Sequence, residues 1–247
     1  MTFPGGCGMR GCCGQLQEVF GHAGFLGIVA TLVLSVAASY VPFTQVRKPS
    51  RWIGRLFASL MNRSHSALTD WGLAQVRIAT DFTILDVGCG GGRTINKLAQ
   101  SAPAGTVVGI DYAPGSVAAS VSTNETLIDA GRVGVLLASV AALPFPADRF
   151  DLVTAVETHY YWPSLPDDLR ETLRVLKPGG ILLLIAEAYS RVGGSKLEKL
   201  VMQKLLRAAH LNAEEHRQLF SGAGFIEVHV LEESQRGWLC VMGRKPA

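Results

Sequence analysis

Asp86-Val87-Gly88-Cys89-Gly90-Gly91-Gly92 lies between a short apolar run, Thr83–Val87, and a helical pattern, Thr94–Ser101, whose Ile95, Leu98 and Ala99 share one face. A glycine loop leaving the carboxyl end of a strand and opening a helix is a ligand loop in open α/β sheets. Its glycines let backbone approach a ligand closely. Asp111 then ends the next apolar run, Thr106–Asp111, about twenty residues after the loop.

Outward from this unit the same rhythm continues. A helix is predicted over Ser116–Asp129, strands over Gly134–Ala138 and Phe150–Val156, and a helix over Asp167–Leu176. A buried strand, Ile181–Ala186, follows the turn signal Pro178-Gly179-Gly180, and Phe225–Leu231 and Trp238–Met242 read as closing strands joined by a polar turn. Short apolar strands separated by helices predict an α/β fold with a mostly parallel, doubly wound sheet.

The loop chemistry narrows the ligand. A dinucleotide fingerprint started at Gly88 would need a small residue where Arg93 stands, and Arg93-Thr94 lacks the lysine of a nucleoside-triphosphate loop. Asp86, beside the loop, would repel a pyrophosphate and attract an ammonium group instead. A carboxylate at Asp111 can accept from two ribose hydroxyls, and Tyr112 next to it could lie against an adenine ring; the plain alternative for Asp111 is a loop acid or helix cap.

The stretches ILDVGCGGG (84–92), VVGIDYAPGSV (107–117), LPFPADRFDLVTAVET (143–158) and RVLKPGG (174–180) together resemble the successive motifs of the class I S-adenosylmethionine-dependent methyltransferases, in their methyltransferase type 11 group. The resemblance covers about residues 49–247, with core motifs over 83–184. It implies a Rossmann-like seven-stranded sheet whose last two strands form an antiparallel hairpin, and S-adenosyl-L-methionine as cofactor. Carried onto this chain, Asp86, Gly88, Cys89 and Gly90 would line the methionine portion, Asp111 and Tyr112 the nucleoside, and Ser139 and Val140 the adenine edge. Such enzymes often place an aspartate where this chain has Ser139, so adenine recognition here would rest on a hydroxyl or on backbone groups.

Glu157 follows the fourth strand, where residues meet the cofactor's sulfonium end and the acceptor. It opens the aromatic run Glu157-Thr158-His159-Tyr160-Tyr161-Trp162-Pro163. One reading makes this the wall of an acceptor pocket, with aromatic faces near a cation, His159 as base and Tyr160 beside it; the other makes it loop packing on the sheet edge. The run Ile53–Leu73 resembles the entry region of one subgroup and could cover the cleft with Ser64, His65 and Ser66, although a helix-to-helix turn capped by Ser66 or Thr69 explains it as well.

The first 46 residues differ in character. Phe25–Phe43 contains no charged residue and is long enough, at about 1.5 Å per residue, to cross a hydrocarbon core about 30 Å thick. Arg47, Lys48, Arg51 and Arg55 follow it, which would leave a catalytic domain in the cytoplasm, anchored to a membrane by one N-terminal helix. A cleaved signal peptide, with Ala37-Ala38-Ser39 as a small-residue site, and an extension without functional role are the competing readings.

Composition bounds the rest. Of 247 residues, 48% are hydrophobic and 17% charged, mean hydropathy is +0.26, and the net charge is only +3 without a basic block, so no nucleic-acid partner is expected. Five cysteines, three of them in the first thirteen residues, form no ligand spacing, and no metal is expected. Three functions compete: methyl transfer to a small-molecule acceptor, a catalytically silent S-adenosylmethionine-binding partner, and a nucleotide-dependent oxidoreductase, which the broken fingerprint disfavours.

Overall fold

In the computed structural model, each ligand-end strand of the βα rhythm keeps its expected bounds: β1 at Thr83–Val87, β2 at Thr106–Asp111 and β4 at Phe150–Val156. The structure describes residues 66–187, 189 and 211–247. The expected extension 1–46 with its apolar stretch 25–43, and Ser64 and His65, lie outside the described residues. Among the described residues no helix is long and apolar enough to cross a membrane.

The helices are α1 (Ser66–Leu73), α2 (Arg93–Ser101), α3 (Pro114–Thr123), α4 (Glu125–Asp129), α5 (Leu165–Val175) and α6 (Ala213–Ala223). The remaining strands are β3 (Val133–Leu137), β5 (Leu176–Ala186), β6 (Ile226–Glu233) and β7 (Trp238–Arg244), and one 3₁₀ turn spans His159–Tyr161. All seven strands join one sheet in the order β3-β2-β1-β4-β5-β7-β6, with β7 antiparallel to both neighbours and the rest parallel. The hairpin of β6 and β7 is the closing unit that the sequence resemblance implies.

Strand alternation divides the core between the two faces. Leu85, Val153, Leu182 and Leu184 join Leu169 of α5 and Phe220 of α6 on one side. Ile84, Leu152, Leu183 and Ile185 join Leu68 of α1 and Ile95 and Leu98 of α2 on the other. Both faces are covered, as a parallel sheet requires.

Two expected elements changed. The single helix over Ser116–Asp129 breaks at Asn124, whose side-chain amide donates to the carbonyls of Gly92 and Ser120. The Pro178-Gly179-Gly180 turn lies inside β5: Phe150 pairs Leu176 and Leu152 pairs Ile181, so Lys177–Gly180 bulges out of an otherwise continuous strand.

Chain order reverses between β1 and β4, which are neighbours although β2 and β3 intervene in sequence. Crossovers on either side leave in opposite directions there and open a crevice beyond the strand ends. The glycine loop after β1 and the aromatic run after β4 both emerge at that place.

Candidate functional site

β1 carries Asp86 into the sheet beside Thr154 of β4, its register partner. The carboxyl is 2% exposed, and the Thr154 hydroxyl donates to Oδ1 at 2.7 Å. Oδ2 is buried without a hydrogen-bond partner. Burial, reinforced by the charge of Asp111, pushes this carboxyl up to about 7 against the opposing hydrogen bond from Thr154. A buried oxygen of this kind calls for a donor from a ligand or a water.

The loop itself is built by backbone. The N–H groups of Gly88 and Cys89 both donate to the Ile110 carbonyl, and Gly92 N–H donates to the Cys89 carbonyl. Gly92 caps α2 in the left-handed conformation, at φ 80°. A Cβ there would stand 2.4 Å from Asn124 Nδ2 and 2.5 Å from Ser120 Oγ, so only glycine fits. Gly90 differs, since a Cβ on it would meet nothing within 4 Å, which leaves open space along its face.

Asp111 closes β2 with both oxygens engaged. Oδ2 accepts from Gly90 N–H at 3.0 Å and Oδ1 from Ala113 N–H at 2.8 Å. The side chain therefore braces the glycine loop and the start of α3 together. The Ser116 side chain and the Tyr112 backbone also donate to this carboxylate. Burial raises this carboxyl, and the hydrogen bonds from Ala113 and Gly90 oppose the rise. Tyr112 beside it is 46% exposed, as a ring that receives a flat ligand must be.

The Cys89 side chain is packed in the core with Ile95, its thiol lies 3.7 Å from Ser120 Oγ, and burial raises its pKa strongly. Its N–H donates to the Ile110 carbonyl and its carbonyl accepts from Gly92 N–H, so its backbone shapes the turn. Val140 likewise buries its side chain in the core, and Ser139 Oγ accepts from Ala141 N–H in a local turn.

After β4 the chain turns sharply. Glu157 has φ 57°, a left-handed conformation uncommon outside glycine. Its Oε1 accepts from the Tyr160 hydroxyl at 2.8 Å and from the Glu187 N–H that follows β5. Burial pushes this carboxyl up to about 7. Trp162 donates to Thr158 Oγ1 at 2.9 Å, and Thr158 fills the space beside Gly88, so the two loops touch.

His159 is turned into the fold, 1% exposed, with Nε2 3.2 Å from Nε2 of His216 on α6. His216 Nδ1 lies 2.8 Å from the Asn212 carbonyl, which can only accept, so the proton of His216 sits on Nδ1. His159 must then carry its proton on Nε2. Burial lowers both imidazoles, His159 strongly, and each stays neutral. His159, the expected base, is thus buried against α6 through Nε2, and its Nδ1 has no hydrogen-bond partner.

Thr154, Asn124 and His216 were not among the residues expected at the site. Only His216 had a local signal nearby, the reciprocal cap in which Asn212 Oδ1 accepts from Glu215 N–H and Glu215 accepts from Asn212 N–H. Among the described residues no group of three or more His, Cys, Asp or Glu could hold a metal ion.

Comparison with known proteins gives the family and the fold. Residues 85–184 match the methyltransferase domain family. A ubiquinone/menaquinone biosynthesis C-methyltransferase of Geobacter sulfurreducens is 36% identical over 111 residues, 44% of this chain and 43% of that protein. The chloroplastic 2-methyl-6-phytyl-1,4-hydroquinone methyltransferase of Arabidopsis thaliana is 27% identical over 195 residues, 76% of this chain and 55% of that protein. The chain thus spans about half the length of the curated relatives it matches. Among solved structures, the methyltransferase in complex with the Haloferax volcanii Trm112 methyltransferase activator superposes with a TM-score of 0.66 at 21% identity, over 77% of this chain and 94% of that one, a likeness of fold.

Proposed function

With residues 85–184 a class I, S-adenosylmethionine-dependent methyltransferase domain, we propose that the chain transfers a methyl group to a small-molecule acceptor bearing a ring hydroxyl, of the hydroquinone type. The observation that carries the cofactor side is the unpartnered, buried Oδ2 of Asp86 at the end of β1, with the open face of Gly90 in the loop that follows and Asp111 one strand away. These residues fit S-adenosylmethionine: Asp86 and Gly88 would take the methionine ammonium end, Asp111 the ribose, Tyr112 the adenine face, and Ser139 and nearby backbone its edge. When bound, that cofactor supplies a sulfonium-activated methyl group for in-line displacement.

The protein's own work is then to bind, orient and exclude water, since proximity supplies much of the acceleration. The acceptor side is the run after β4. Tyr161 and Trp162 there are half-buried rings suited to a flat acceptor, while Tyr160 is buried, and the two relatives named above carry ubiquinone/menaquinone biosynthesis and 2-methyl-6-phytyl-1,4-hydroquinone in their names. Calorimetry with S-adenosylhomocysteine and with NAD tests the cofactor reading: tighter binding of NAD would overturn it. Transfer of a labelled methyl group to a short-chain 1,4-hydroquinone, against an aliphatic amine as control, tests the acceptor class.

A further inference from the structure

We propose that Glu157 takes up the proton that the methyl acceptor loses, that Tyr160 positions it for this, and that the acceptor is therefore a phenol or hydroquinone and not a thioether or tertiary amine. This deepens the methyltransferase reading above and rests on it.

Three observations carry it. Glu157 directly follows β4 at the place where strand order reverses, half-buried at the crevice. It holds a left-handed backbone at φ 57°, a conformation unfavourable for a residue with a side chain that persists where surrounding structure enforces it. The Tyr160 hydroxyl and the Glu187 N–H converge on Oε1, so the carboxyl bridges the ends of β4 and β5 in one orientation, and neither donor uses Oε2. The His159 imidazole, bonded to His216 through Nε2 and with Nδ1 unpartnered, is 1% exposed and so lies away from solvent.

The electrostatics suit the role. Burial raises the carboxyl to about 7, the hydrogen bonds from Tyr160 and Glu187 N–H oppose this, and the Glu187 carboxylate adds to the rise. A base that titrates near neutral pH combines an available ionised form with a useful affinity for the proton. In the step itself the acceptor's oxygen or ring carbon bonds to the methyl carbon. The carbon–sulfur bond breaks with its electron pair left on sulfur, and the proton of the acceptor passes to the Glu157 carboxylate.

The test uses the full chain, Glu157→Gln and Tyr160→Phe, with S-adenosylmethionine and a short-chain 1,4-hydroquinone between pH 5.5 and 9. Glu157→Gln should keep S-adenosylhomocysteine affinity, lose at least about a hundredfold in transfer rate and lose the rising limb near pH 7. Tyr160→Phe removes a bond that favours the carboxylate, so its limb should move to higher pH. Failure of the wild-type chain to bind S-adenosylhomocysteine would sink the methyltransferase reading. Binding without transfer to the hydroquinone overturns the acceptor class. A Glu157→Gln profile that keeps rate and limb, or a Tyr160→Phe limb that stays in place, overturns the assignment of the proton.

Discussion

The loop after β1 and the loop after β4 touch at Gly88 and Thr158 and serve one crevice, yet they are built by opposite means. The first holds its shape through backbone bonds and glycines, with Gly88, Cys89 and Gly92 tied into a turn. The second holds its shape through side chains, with Glu157 in a strained conformation fixed by Tyr160 and Trp162 anchored on Thr158. A backbone-built loop presents the same surface whatever the side chains beyond it, which suits a constant cofactor. A side-chain-built loop can change what it presents with single substitutions, which suits a variable acceptor.

Gly92→Val should break the first loop most severely. The left-handed position and the clash with Asn124 and Ser120 together should cost about 3 kcal/mol or more, read as a large fall in melting temperature and lost S-adenosylhomocysteine binding. A fully stable variant would show that the loop is softer than its packing implies. Asp111→Ala comes next. Losing charged hydrogen bonds should weaken S-adenosylhomocysteine binding by about 1.5–3 kcal/mol, and unchanged affinity in calorimetry would remove the ribose role.

A third measurement uses pH. The folded-state pKa values of Asp86 and Glu157 lie near 7, above their ordinary values of 3.8 and 4.5. As pH falls through 7 the folded chain takes up protons that the unfolded chain does not yet bind, so these two groups stabilise the ligand-free protein progressively down to about pH 4. His159 and His216 act in the reverse sense: their folded values are lowered, so they cost stability once pH falls below their ordinary 6.5. Thermal melts of wild type and Asp86→Asn isolate the first effect. The wild type should gain on the variant from pH 8 to 5, and parallel curves would contradict a buried, protonatable Asp86. The smallest expected change is Ser139→Asp, which adds an acid near the adenine edge and should tighten S-adenosylhomocysteine binding by about 1 kcal/mol or less. Weaker binding would put the adenine elsewhere.

The same contrast explains what could be read in advance. Asp86, the glycine loop and Asp111 were legible because the motif is local, and β1, β2 and β4 end where the apolar runs end. The break at Asn124 was not, because the bond that causes it reaches Gly92, thirty-two residues away. The Pro-Gly-Gly signal was read correctly as a local departure but wrongly as a strand boundary, since pairing with β4 resumes at once at Ile181. His159 could be named but not oriented, because its partner His216 lies on a helix fifty-seven residues further on. The direction of the Cys89 side chain has a similar cause: a cysteine in a glycine loop faces core or crevice according to what lies beneath it, here Gly109 and Ile95.

The amide of Asn124 has a consequence for how this protein acquires its cradle. A loop whose carbonyl is gripped from the junction of α3 and α4 is held in its final shape by β2 and α3 as well as by β1 and α2. The final shape of the glycine loop and the helix break at Asn124 therefore depend on each other, although thirty-two residues separate them. A ligand that recognises the finished loop stabilises everything from Thr83 to Asp129 as one unit, and its binding reports that this half of the sheet has closed.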